Sequence, residues 1–152
     1  MFFDEVVLVT GGFDPIHSGH ISYFNNAKEF SNRLIVGINS DEWLVRKKGQ
    51  YFLPWKERAK IIGSLRMVDD VISYNDEDNS SSEAIEKCLK ISKKVIFCNG
   101  GDRKNNNILE MDVFKNNPRV QFKFSVGGDD KINSSSWILH GYFERQRKLL
   151  GI

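Results

Sequence analysis

Short apolar runs alternate with segments of helical spacing along this whole chain, and that alternation constrains its fold more than any other feature. Residues 6–9, 33–38, 70–73, 94–98 and 120–124 read as strands. Helical patterns follow them at 21–30, 54–67, 83–91, 108–116 and 134–150. In the second of these Ile61, Ile62 and Leu65 share a face and Pro54 stands near the start. Such an order predicts an α/β fold, a parallel sheet with helices on both faces. Ligands of such sheets bind outside the carboxyl ends of the strands, and every unusual loop here follows a strand. Residues 75–82, acidic and serine-rich, are expected as a surface loop or a disordered tip. No repeat or linker interrupts the pattern, so residues 1–152 are expected to form a single domain with a real core.

Composition narrows the function classes. A formal net charge of +2 is too small to argue for a nucleic-acid or membrane surface. No apolar run has the length of a transmembrane helix, and the N-terminus lacks the basic start of a signal peptide. Cys88 and Cys98 lie in apolar surroundings without metal-ligand spacing, so buried free thiols and a cytoplasmic location are expected.

Chemistry concentrates first in Gly11-Gly12-Phe13-Asp14-Pro15-Ile16-His17-Ser18-Gly19-His20, between the first strand and the first helix. Glycines let backbone approach a bound group, and the free N–H groups of a helix start attract anions. His17 and His20, three residues apart, face one ligand there. The segment has neither the Lys-Ser/Thr of a P-loop nor the glycine spacing of the dinucleotide fingerprint. It describes a phosphate pocket with donors placed where charge develops in phosphoryl transfer.

Read from Gly11, this decapeptide resembles the Gly-x-Phe-Asp-x-x-His-x-Gly-His signature of the cytidylyltransferase-like nucleotidyltransferases. The resemblance implies a Rossmann-like, five-stranded parallel sheet of order 3-2-1-4-5. Four further segments match in the family's order. Asn39-Ser40-Asp41, continuing to Lys48-Gly49, resembles the stretch found in heptose-phosphate adenylyltransferases. Its cations Arg46, Lys47 and Lys48 are read as a strand-end loop suited to a triphosphate and a phosphorylated acceptor. By resemblance Lys48, or else Lys47, serves the nucleotide α-phosphate or the acceptor. Arg58, in Trp55-Lys56-Glu57-Arg58, matches the family's Glu-Arg position and either reaches the acceptor phosphate or lies exposed on its helix. Gly100-Gly101-Asp102 resembles the turn lining the base and ribose pocket, with Asn99 where some relatives have Lys. Ser134-Ser135-Ser136 resembles the signature that opens the last helix. There hydroxyls and helix N–H groups would grip the β- and γ-phosphates, and Lys131 stands near the arginine of relatives that use CTP.

The implied reaction is attack by an acceptor phosphate on the α-phosphorus of a nucleoside triphosphate, with release of pyrophosphate. His17, His20 and a lysine stabilise charge; Gly11, Gly12, Phe13, Asp14 and Gly19 shape the nucleotide site. Mg2+ is expected with the triphosphate. No metal-ligand cluster is visible, and Asp14 either acts through water or caps the turn. CTP with a polyol phosphate such as glycerol 3-phosphate competes with ATP and a sugar phosphate, and a non-catalytic nucleotide-binding module is the other class. A homodimer is expected by resemblance, with Trp43, Trp137, Tyr142 and Phe143 as surface candidates.

Overall fold

A computed structural model describes residues 2–101, 108–127 and 133–152. Its five strands are β1 (Phe3–Gly11), β2 (Leu34–Ile38), β3 (Asp70–Ile72), β4 (Ser92–Cys98) and β5 (Val120–Lys123). The helices are α1 (Ser18–Lys28), α2 (Asp41–Lys48), α3 (Trp55–Gly63), α4 (Ser82–Leu89), α5 (Leu109–Phe114) and α6 (Ser135–Leu150). All strand pairs are parallel, in the order β3-β2-β1-β4-β5. The expected architecture and strand order are therefore present.

Alternation along β1 explains the layering. Val7 and Val9 point into one core with Phe24 and Ala27 of α1 and Ile62 of α3. Val6 and Leu8 point into the other, with Ala84, Ile85 and Cys88 of α4 and Phe114 of α5. All four valine and leucine side chains are fully buried, as a central parallel strand covered on both faces requires. Cys88 and Cys98 are buried free thiols, and burial pushes both pKa values up to about 12. No helix among the described residues is long and apolar enough to cross a membrane.

Two expectations need correction. The basic segment after β2 is not a loop but the helix α2. Ser40 caps it by accepting from Trp43 N–H, and acidic Asp41 and Glu42 occupy its first turn. Arg46, Lys47 and Lys48 occupy the last, complementing the helix dipole before Gly49 ends it at φ 89°. The 75–82 segment is not a free tip either. Asp76, Ser80 and Ser81 are buried in it, because their polar groups have partners inside the fold.

Candidate active site

The carboxyl ends of β1 and β4, together with α1, α2 and the start of α6, enclose a cleft of about 480 Å3. Its floor is the β1–α1 turn. Here the two histidines build the backbone as well as the site. His17 is the N-cap of α1, its Nδ1 accepting from Gly19 N–H at 3.0 Å. His20 Nδ1 accepts from His17 N–H at 3.2 Å, completing a reciprocal capping box made of imidazoles. The rings stack with centroids 3.8 Å apart, and Phe13 meets His20 edge-on at 5.0 Å. Because each Nδ1 accepts, the proton of a neutral ring sits on Nε2. Both rings line the cleft. His20 is held neutral. Burial, then the neighbouring His17, then Lys48 lower its pKa from 6.5 to about 3. Gly19 leaves room for this stack: a Cβ there would lie 2.8 Å from His17 Cε1, and the ring would have to shift.

α2 forms the wall beside this turn. Trp43, Leu44, Lys47 and Lys48 line the cleft. Burial lowers the Lys48 pKa; nearby Asp14 opposes that shift and Lys47 adds to it. Lys47 lies instead over the Trp43 ring, with Nζ 5.0 Å from its centroid. Arg46 is not in the cleft, since it donates to Asp76 O at 2.8 Å and to Asn79 Oδ1 at 3.2 Å.

Arg58 corrects the sequence reading outright. It is neither exposed nor aimed at a ligand but 1% exposed. Its guanidinium donates to Leu53 O, Gly12 O and Asn39 O at 2.8–2.9 Å and pairs with Asp41 Oδ1 at 2.6 Å. One planar fork thus ties the glycine turn, the end of β2 and the start of α2 together. Asp14, also buried, accepts from Phe52 N–H and Leu53 N–H at 2.6 and 2.7 Å and anchors the segment after α2.

Gly11, Gly12, Phe13, Gly19, Gly100, Gly101 and Ser134–136 all line the cleft. The serines divide their work. Ser134 Oγ caps α6 by accepting from Trp137 N–H, and Ser135 Oγ donates to Pro15 O at 2.7 Å, fastening α6 to the histidine turn. The opening N–H groups of Ser135 and Ser136, as in the first turn of any helix, have no intrahelical acceptor. Asp102 and Lys131 lie outside the described residues. Among the described residues no three His, Cys, Asp or Glu cluster as metal ligands.

Sequence reasoning missed the brace behind α2. Buried Asp76 accepts from Asn39 Nδ2 at 3.0 Å and from Ser40 N–H and Oγ at 2.8 Å, while its carbonyl holds Arg46. Behind it Tyr74, Ser81 and Thr10 continue the network, and the fully buried Glu110 accepts from Ser81 N–H at 2.7 Å. Tyr23, whose hydroxyl donates to Cys98 O at 2.7 Å, and Val126 also line the cleft unforeseen. Tyr23 lies one turn beyond His20, a spacing that could have flagged it.

The chain belongs to the cytidylyltransferase-like family, whose profile matches residues 8–136, and it is thereby a nucleotidyltransferase. Among curated proteins it is similar to the Bifunctional protein HldE of a Nitratiruptor species, with 36% identity over 120 residues. That match covers 78% of this chain and 25% of that protein. The HldE of Erwinia tasmaniensis is 34% identical over 138 residues, covering 89% of this chain and 27% of that protein. The chain thus spans about a quarter of the length of these relatives. Its fold is that of the lipopolysaccharide core biosynthesis protein from Thermoplasma volcanium. The TM-score is 0.61 at 24% identity, over 78% of this chain and 93% of that one.

Proposed function

We propose that this domain transfers an adenylyl group from ATP to the phosphate of a sugar phosphate. An acceptor oxygen attacks the α-phosphorus, the bond from that phosphorus to the bridging oxygen breaks, and pyrophosphate leaves with the electron pair. A phosphate monoester needs no general base, so the protein contributes position and charge. The observation that carries this reading is the convergence of two Nε2 donors, Lys48 and the α6 start on one cleft. In this reading His17, His20 and Lys48 neutralise the α-phosphate, and the N–H groups at Ser135 and Ser136 receive the leaving pyrophosphate. Mg2+, if bound with the triphosphate, would supply neutralisation of phosphate charge, and Asp14, whose oxygens accept from Phe52 and Leu53 N–H, would act on the fold of the turn.

ATP and a sugar phosphate are favoured by the HldE relatives and by the Asn39-Ser40-Asp41 and Lys48-Gly49 pattern of α2. The family's cytidylyltransferase-like description supports the second reading, CTP with a polyol phosphate such as glycerol 3-phosphate. Pyrophosphate release, with ATP and CTP each tested against sugar 1-phosphates and glycerol 3-phosphate in Mg2+, separates them. Turnover of ATP with a sugar phosphate is expected. Turnover only of CTP with glycerol 3-phosphate would replace the first reading by the second, and tight binding without release would mean a binding module. A homodimer is part of the proposal. α6 buries none of its residues and exposes Trp137, Tyr142, Phe143, Leu149 and Leu150, and sedimentation tests the association.

A further inference from the structure

Two uncharged polar residues line the cleft without a part in the transfer chemistry, Thr10 near the end of β1 and Asn99 just past β4. Leu8 and Phe97 pair across these strands, and both belong to the core beneath α4 and α5. Asn99 N–H still bonds to Lys123 O at 2.9 Å, so strand geometry reaches that residue. Two positions beyond Leu8 and Phe97, Thr10 and Asn99 therefore share that face, at the spacing of neighbouring strands, about 4.8 Å. Asn99 is 2% exposed, and its Nδ2 donates to Lys123 O at 3.3 Å, which orients the amide. Among the described residues nothing donates to its Oδ1, yet no buried side-chain oxygen there lacks a partner. Oδ1 thus keeps an open side, and the open space that Asn99 lines is the cleft. A directed chain of hydrogen bonds sets Thr10. Asn39 Nδ2 donates to the Tyr74 hydroxyl at 2.9 Å, and that hydroxyl donates on to Ser81 Oγ at 3.4 Å. Ser81 Oγ then donates to Thr10 Oγ1 at 2.7 Å, which leaves the Thr10 proton for the cleft. One side chain offers an acceptor and its neighbour a donor.

We propose that Thr10 and Asn99 together read a hydroxyl group of the acceptor, and so select hydroxylated phosphate monoesters over alkyl phosphates. The inference rests on the transferase reading above. A hydroxyl accepts and donates at one oxygen, and an oxygen between side chains about 4.8 Å apart reaches both. A carbonyl or phosphate oxygen only accepts and an ammonium only donates, so each would leave one of the two residues unmet. Displacement in line decides which substrate meets the pair. In this reading pyrophosphate leaves toward the start of α6, which Ser135 fastens to Pro15 beside α1. Phe13 and His20 lie on that α1 side of the sheet. The nucleophile must enter from the opposite side. Thr10 and Asn99 stand on the α4–α5 face, so they meet the entering acceptor rather than the nucleoside. A lysine, which stands at the Asn99 position in some relatives, offers no acceptor, and the pairing belongs to this chain's own residues.

The test is pyrophosphate release by the whole chain at saturating ATP. Each sugar phosphate is compared with its monodeoxy analogues, and glycerol 3-phosphate with n-propyl phosphate. For the wild type, removing the hydroxyl that is read should lower kcat/KM about 10²-fold. Asn99→Leu and Thr10→Val should each cost about as much on the parent acceptor, leave the deoxy analogue within about threefold, and so erase the preference. Thr10→Ser, which keeps the hydroxyl, should restore it. The ATP KM should stay within about twofold throughout. Equal losses on parent and analogue would mean structural damage alone and would overturn the proposal, as would a preference that neither variant changes. A changed preference for ATP over its 2′-deoxy analogue or over inosine triphosphate would overturn it too, because the pair would then read the nucleoside. If the wild-type chain turns over no acceptor, the transferase reading fails and the pair is judged by calorimetric binding of glycerol 3-phosphate and n-propyl phosphate. Tighter binding of glycerol 3-phosphate, made equal by Asn99→Leu, would uphold the pair. Equal binding of both by the wild type would overturn it.

Discussion

The starts of α1 and α2 stand side by side at the same sheet edge and solve one problem in opposite ways. Each must present charged or polar groups to the cleft from a helix whose own ends need partners. In α1 the cleft-lining histidines are the cap: both imidazoles commit Nδ1 to backbone N–H groups and present Nε2. In α2 the tasks are separated. Ser40 caps the helix, Asp76 holds Ser40 from outside, and Lys47 and Lys48 occupy the far end. Fused roles couple stability to activity in α1, whereas divided roles let them vary independently in α2.

The largest effect should come from breaking the fused site. His20→Ala removes a cleft donor and half the capping box together. A loss of about 10²–10³-fold in kcat is expected, with about 1 kcal/mol of stability. Pyrophosphate release and chemical denaturation check the two numbers on one sample. A pH series sharpens the point. The folded pKa of His20 is about 3 against 6.5 for a free histidine, so the native state binds the proton less readily than the unfolded chain. Its contribution is complete above pH 6.5 and declines as pH falls toward 3. The wild-type melting temperature should drop over that window more steeply than that of His20→Gln. Equal slopes would show that His20 is not held neutral by the fold.

Lys48→Ala comes next and should behave in the opposite manner. Among the described residues its ammonium makes no hydrogen bond or ion pair, so kcat should fall about 10²-fold while the melting temperature stays nearly constant. The lowered Lys48 pKa adds a directional test. The wild-type rate should decline on the alkaline side earlier than an ordinary lysine would dictate, and Lys48→Arg should move that limb upward. Asp76→Ala should do the converse of Lys48→Ala. Its loss strands Asn39 and Ser40, costing about 2–3 kcal/mol, and loosens α2 enough to lower kcat about tenfold. If denaturation shows no loss of stability, the roles in α2 are not divided as described.

The same contrast explains what is legible in the sequence. A capping box closes within four residues, so the histidine turn declares itself locally, as do strands whose burial is written in consecutive valines and leucines. α2 reads as a loop because its eight polar-rich residues bury only Leu44, although Ser40 and Gly49 are sound start and stop signals. The 75–82 segment misleads for a different reason. Its acidic and serine-rich composition matches a solvated tip, while the groups that Asp76 satisfies lie 36 and 37 residues earlier. Arg58 likewise has the pattern of a surface helix residue, since three of its four partners belong to elements that only the fold brings near. Ser135 reaches Pro15 across 120 residues. Local geometry is readable, and long-range polar satisfaction is not.

The smallest predicted effect is the one that can separate the fused roles of α1. Gly19 lies inside the first turn of the helix, where alanine is the better residue by up to about 1 kcal/mol. The added methyl, however, would meet His17 at 2.8 Å from Cε1 and 3.0 Å from Nδ1. The ring can yield only by turning out of its stack with His20, which displaces Nε2 and weakens the cap bond that Nδ1 accepts from Gly19 N–H, a cost of the same order as the helix-propensity gain. Gly19→Ala should therefore leave the melting temperature nearly unchanged and still lower kcat several-fold, with the ATP KM nearly constant. A parallel loss of stability would instead mean that the imidazole cap tolerates no displacement at all, and that the two roles of His17 cannot be varied separately at this position.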